Sequence, residues 1–254
     1  MNTDKQTLIG GALVLLLLIG VGWYVMTKNT GGAKPEVTQN ATSTEGSVSG
    51  FVGPIAQDVS TPAPSLERPI PETSDIPDET RAMVLSQLSV TIEALKEDPK
   101  SFDEWIELGL ERKRLGDYEG AAEAWEYVSL LYPGNIVSFA NLGDLYMNFL
   151  HDYAKAEERY LKAVGNKPDP YIFSNLFDLY RVYKAESEGG IDILKKGIVE
   201  NPGALELYIM LARAYRDAGR IDEASIAFDE AIAVAQRQNN TSAVASLKEE
   251  KVDL

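Results

Sequence analysis

The feature that most constrains this chain is a period. Four prolines, Pro99, Pro133, Pro168 and Pro202, recur at intervals of 34 or 35 residues. Leu108, Leu142, Leu176 and Leu211 recur at the same interval, and so do Trp125, Tyr160, Leu194 and Phe228. Three series sharing one period of that length mark an array of helix-turn-helix units, none of which can bury its apolar face alone. Within each unit an aromatic residue, a Leu and usually a Tyr fall at i, i+3 and i+7, on one face of a first helix. An Ala and an aromatic four residues apart line a second helix, and the Pro ends it because it has no N–H for the i to i−4 bond. The aromatic residues are therefore core residues.

These residues resemble the tetratricopeptide repeat family, whose pattern runs aromatic, Leu-Gly, Tyr, Ala, aromatic, Pro. The first copy reads Trp105, Leu108-Gly109, Ala121, Trp125 and Pro133, with Gly-Asp-Tyr at 116–118. The second reads Phe139, Leu142-Gly143, Tyr146, Ala156, Tyr160, Ala163 and Pro168. The third reads Phe173, Leu176, Tyr180, Leu194 and Pro202, and the fourth Tyr208, Leu211-Ala212, Tyr215, Gly219, Ala224, Phe228 and Ala231. The resemblance implies an all-α, right-handed superhelical solenoid, with repeats at about 102–135, 136–169, 170–204 and 205–238. The apolar stripe Val84, Leu85, Leu88, Ile92 and Leu95 predicts a capping helix over 81–98. The narrow stripe Ala243, Val244 and Leu247 predicts a solvating C-terminal helix over 241–251.

The pattern is broken at named places. Arg112 stands where the first copy should carry Tyr, and Phe177 where the third should carry Gly. Gly190 and Gly197 replace Ala in the third copy, at about 1 kcal/mol of helix propensity each. One extra residue is expected in the turn at 150–152 and another at 186–190. The third copy therefore reads as the least regular and least stable.

Upstream of this domain, 78–254, the chain changes character twice. After a short tail, 1–7, residues 8–26 are 19 residues without a charge. That is roughly 28 Å of helix, close to the hydrocarbon thickness of a bilayer. Trp23 and Tyr24 suit the interface. A cleaved leader would have a shorter apolar core and a small-x-small site, which Gly22-Trp23-Tyr24 does not offer. The segment reads as a transmembrane helix. Flanking lysines are nearly balanced, and a short N-terminus before a first apolar segment favours export of the domain. Residues 27–77, rich in Pro, Ser, Thr and Gly, read as a disordered linker, with 51–55 its only apolar patch.

Composition removes several function classes. The net charge of −15 opposes a nucleic-acid binder. There is no Cys and a single His, His151, so thiolate chemistry and multi-His zinc sites are excluded. No nucleotide-binding glycine loop, Gly-x-Ser-x-Gly or His-Glu-x-x-His motif occurs. The chain is expected to be no enzyme and to need no cofactor. What the repeats imply is a protein-binding surface on the concave face, built from non-core residues of the first helices. The candidates are Ile106 and Leu110 in the first copy, and Asn141, Asp144 and Asn148 in the second. The third supplies Tyr171, Asn175, Asp178 and Arg181, and the fourth Ile209, Met210 and Arg213. Asn141 with Asn175, and Asp144 with Asp178, stack one period apart, and Asn can both donate to and accept from a peptide backbone. Ile106 and Leu110 stand where the family's carboxylate clamp has Lys and Asn, so a longer peptide or a partner helix fits better than a free C-terminus. The competing reading is a structural component that self-assembles as a homo-oligomer.

Overall fold

The computed structural model describes residues 56–72, 76–184 and 187–254. Residues 8–26 and 51–55 lie outside it. Among the described residues every regular element is helical, and no helix is long and apolar enough to cross a membrane. The helices are α1 (Asp78–Glu97), α2 (Phe102–Arg114), α3 (Tyr118–Leu131), α4 (Val137–Asn148), α5 (Tyr153–Asn166) and α6 (Pro170–Leu179). A π-helical turn (Tyr180–Lys184) follows, then α7 (Ser187–Glu200), α8 (Leu205–Asp217), α9 (Ile221–Arg237) and α10 (Thr241–Val252). Each helix packs chiefly on its neighbours in sequence. In addition, the first helices α4, α6 and α8 touch one another in turn, which makes the array a solenoid.

Local chemistry sets the boundaries. Asp117, Asp152 and Asp169 cap α3, α5 and α6, their carboxylates accepting from Gly120 N, Lys155 N and Tyr171 N. Ser101 caps α2 and Asn240 caps α10 in the same way. Pro170 follows Asp169 at the first helical position, where a missing N–H costs nothing. The turn after α2 needs a left-handed residue and finds Gly116 (φ 79°), and the turn after α8 finds Gly219 (φ 71°). The turn after α4 uses His151 for the same purpose, at φ 53°. The lone histidine is thus a turn residue.

The pattern aromatics form the core. Trp105, Trp125, Tyr160, Phe173 and Phe228 are all at most 1% exposed. A Cβ on Gly109 would lie 2.1 Å from the Trp125 indole, and one on Gly143 would lie 2.5 Å from the Tyr160 ring. Those two glycines let a large ring of the second helix reach the first. The third repeat inverts the arrangement. Phe177 supplies the bulk from the first helix and Leu194 stands opposite. The space is made by Gly190, where a Cβ would sit 3.0 Å from the Phe177 ring. Gly197 likewise receives Phe173. The third copy is therefore recessed to match its bulk. The extra residue expected in a turn at 186–190 falls elsewhere too: α7 begins at Ser187, and the surplus is wound into the π-turn.

Second helices also reach back to the preceding Pro turn. Tyr132 Oη donates to Lys100 O, Asn166 Nδ2 to Pro133 O and Asn135 O, and Gln238 Nε2 to Gly203 O. In the third repeat Asn201, just past the end of α7, donates back into that helix, to Gly197 O.

The sequence-based boundary of the linker needs correction. Residues 56–72 lie on the repeats, within the compact unit Phe51–Leu254. Ala56, Val59, Leu66 and Ile70 pack against the core. Composition underestimates this segment because it has no periodicity, and its order comes from partners far along the chain. Gln57 N donates to Leu131 O at 2.8 Å, a carbonyl in the last turn of α3 that has no helical partner. Arg68 pairs with Asp117 and Glu123 at 3.0 and 2.8 Å.

Candidate protein-binding face

The structure brings three of the predicted residues together. Asp144 on α4 accepts from Tyr171 Oη at 3.0 Å and from Asn175 Nδ2 at 2.9 Å, both on α6, and from Tyr160 Oη on α5. One carboxylate thus joins two successive first helices. Burial pushes the Asp144 carboxyl up, while the Tyr160 and Tyr171 hydroxyls, Lys113 and the Asn175 amide pull it down, and burial prevails. The Tyr171 hydroxyl is pushed up to about 12, first by burial and then by the Asp144 charge. The residue as a whole remains 56% exposed, although its hydroxyl is held by Asp144.

The other candidates divide by environment. Ile106 is 7% exposed and its carbonyl accepts from Trp125 Nε1, so it belongs to the core and offers a partner little surface. Leu110, Ile209 and Met210 are half-buried against the core. Asn141 is half-buried. Asn148 is exposed and donates to Asp144 O at 3.1 Å. Asp178 and Arg181 pair with each other one turn apart at 3.2 Å, an exposed contact of small value. Arg213 is engaged by Glu250 of α10 at 2.7 Å, and Arg216 joins the same carboxylate at 3.4 Å. The C-terminal helix therefore occupies charges that the repeat pattern left open.

Sequence reasoning missed two contributors. The repeat pattern places Tyr160 wholly in the core, yet its hydroxyl reaches Asp144. Lys113 lies over the Phe149 ring at 4.7 Å, and burial lowers its ammonium. The hint in sequence was the offset between Tyr160 and Asp144, which spans the turn joining α4 to α5. Among the described residues no group of three or more acidic or His side chains could hold a metal ion.

Residues 188–250 match the tetratricopeptide repeat family. A solved structure of MamA superposes with a TM-score of 0.53 at 20% identity, over 64% of this chain and 94% of that one. A structure of MamA from residue 41 to its end, from Desulfovibrio magneticus RS-1, gives 0.50 at 17%, over 63% and 90%. PilF of Pseudomonas aeruginosa gives 0.49 at 17%, over 68% and 90%. No curated protein matches the sequence. At these identities the likeness to the MamA structures concerns the fold, and with the family match it supports a solenoid of tetratricopeptide repeats. Such repeats are protein–protein interaction modules.

Proposed function

We propose that this chain is a membrane-anchored adaptor whose concave face holds an extended peptide or a helix of a partner protein in a membrane or envelope assembly. One observation carries the reading: Tyr171 and Asn175 of α6 converge on Asp144 of α4. A face cross-linked in this way is preorganised and loses less freedom on binding. Exposed Tyr171 and half-buried Leu110, Ile209 and Met210 add apolar area beside it. The surplus of acidic residues favours a basic or mixed partner, mainly through association rate. Anchoring through residues 8–26, with the domain on the exported side, rests on the sequence alone.

The test is crosslinking and affinity capture from native membranes with the full chain. Replacing Asn141→Ala together with Asn175→Ala is expected to abolish capture and leave helicity intact. Unchanged capture removes the concave face from the proposal. A second reading, self-assembly through the end helix, is favoured by Met83 and Val90 of α1, 55% and 70% exposed. A mass that rises with concentration, with no other protein captured, would select it.

A further inference from the structure

The first repeat departs from its sisters at Arg112 and at one further position, and both departures face residues 56–72. Arg112 occupies the place of Tyr146, Tyr180 and Tyr215. In the second and third repeats that Tyr donates to a Glu of the preceding second helix, Tyr146 to Glu126 and Tyr180 to Glu157. Arg112 turns instead to Asp117 at 2.7 Å, and both side chains are 2% exposed. Its remaining donors reach the carbonyls of Arg68 and Leu66, each at 3.4 Å. A guanidinium has five N–H groups and no acceptor, so a buried one needs several oxygens around it. Backbone carbonyls from a non-helical segment, which turns at Leu66 and Glu67, meet that need; a helix face does not.

Gly120 is the second departure, where the second and fourth repeats carry Lys155 and Glu223. A Cβ there would fall 2.1 Å from Asp117 Oδ2 and 2.9 Å from Arg68 Cδ. The glycine clears the notch into which Arg68 descends to meet Asp117 and Glu123. At one end of the segment Arg81 of α1 donates to Pro71 O. At the other end Lys100, in the turn after α1, pairs with Asp58, and Gln57 N meets Leu131 O. The segment therefore runs the length of the groove between α1 and α3, antiparallel to α3.

We propose that this groove is a second binding site, distinct from the concave face. It takes a non-helical segment that turns at Leu-x-Arg: Leu on the core, Arg in the Asp117–Glu123 notch, and backbone carbonyls on Arg112. Its resident ligand is the chain's own residues 56–72, bound in cis. Because the ligand is tethered, its effective concentration is on the order of millimolar and excludes weaker competitors.

The experiment uses the full chain and a fluorescent synthetic peptide of residues 56–72. Leu66→Ser with Arg68→Ala weakens the resident segment by replacing two half-buried side chains of the segment and leaves the groove intact. The labelled peptide is expected to bind this variant at least tenfold more tightly than it binds the unaltered chain. A peptide carrying Arg68→Ala is expected to bind the variant at least tenfold more weakly than the native peptide. Failure of the native peptide to bind a variant of unchanged helicity overturns the proposal. Amide exchange on the unaltered chain decides independently of any variant. Protection of the Gln57 N–H supports the docked segment, and exchange at the rate of a free peptide overturns it.

Discussion

The first and third repeats both break the pattern they share with the other two, and they are repaired in different ways. In the third, the surplus bulk of Phe177 is absorbed within the repeat, because Gly190 recedes on the facing helix. The surplus residue is wound into a π-turn. In the first, a charged Arg112 sits where a Tyr belongs, and no neighbour within the array satisfies it fully. Asp117 neutralises the charge and a segment from outside the repeats supplies the remaining oxygens. A steric departure can be answered locally, because volume is conserved between two facing positions. A buried cation must be answered by oxygens, wherever along the chain they lie.

That contrast can be broken most forcefully at Asp117. Asp117→Ala leaves Arg112 buried without a counter-ion and removes the cap of α3. Urea unfolding is expected to show a loss of about 3–5 kcal/mol. A loss below 1 kcal/mol would mean that the pair is hydrated and the segment incidental.

Glu111 gives the next effect. It is 4% exposed between α2 and α1, Thr91 Oγ1 donates to one of its oxygens, and burial raises its carboxyl to about 7. A folded-state value above the unfolded one means the native state holds the proton more tightly. The contribution is complete below about pH 4.5 and is lost as pH rises through about 7. The loss is roughly 3 kcal/mol. Glu111→Gln is expected to flatten the stability profile between those limits. An unchanged slope in urea midpoints would exonerate Glu111.

The smallest effect probes the third repeat. Gly190→Ala in the native background sets helix propensity against crowding of the Phe177 ring, whereas in a Phe177→Ala background only propensity remains. A double-mutant cycle is expected to return a coupling of about 1–2 kcal/mol. Additive costs would show that Gly190 and Phe177 are independent departures.

Much of this fold is legible from the sequence because pattern positions are core positions. Trp105, Leu142 and Phe228 are buried for the reason they recur. The turns are legible from Asp117, Asp152 and Gly219, whose conformations are locally determined. The residues 56–72 are not, since nothing in Ser-Leu-Glu-Arg-Pro declares a partner that lies some fifty residues away. The concave face is intermediate. Asp144 and Asn175 stand out on the first helices of successive repeats, yet their junction depends on where the Tyr160 hydroxyl ends, which is a matter of packing. Arg112 is visible as an exception, but its meaning needs the segment whose carbonyls reach it.

The held segment also changes how tension enters the domain. A pull applied to the chain ahead of residue 56 does not peel α1 from the end of the array. It meets first the Gln57–Leu131 bond and the Asp58–Lys100 pair, then the Arg68 notch, and so is delivered to α3 in the first full repeat. The end helix is shielded from the load, and the solenoid is gripped one layer in from its edge.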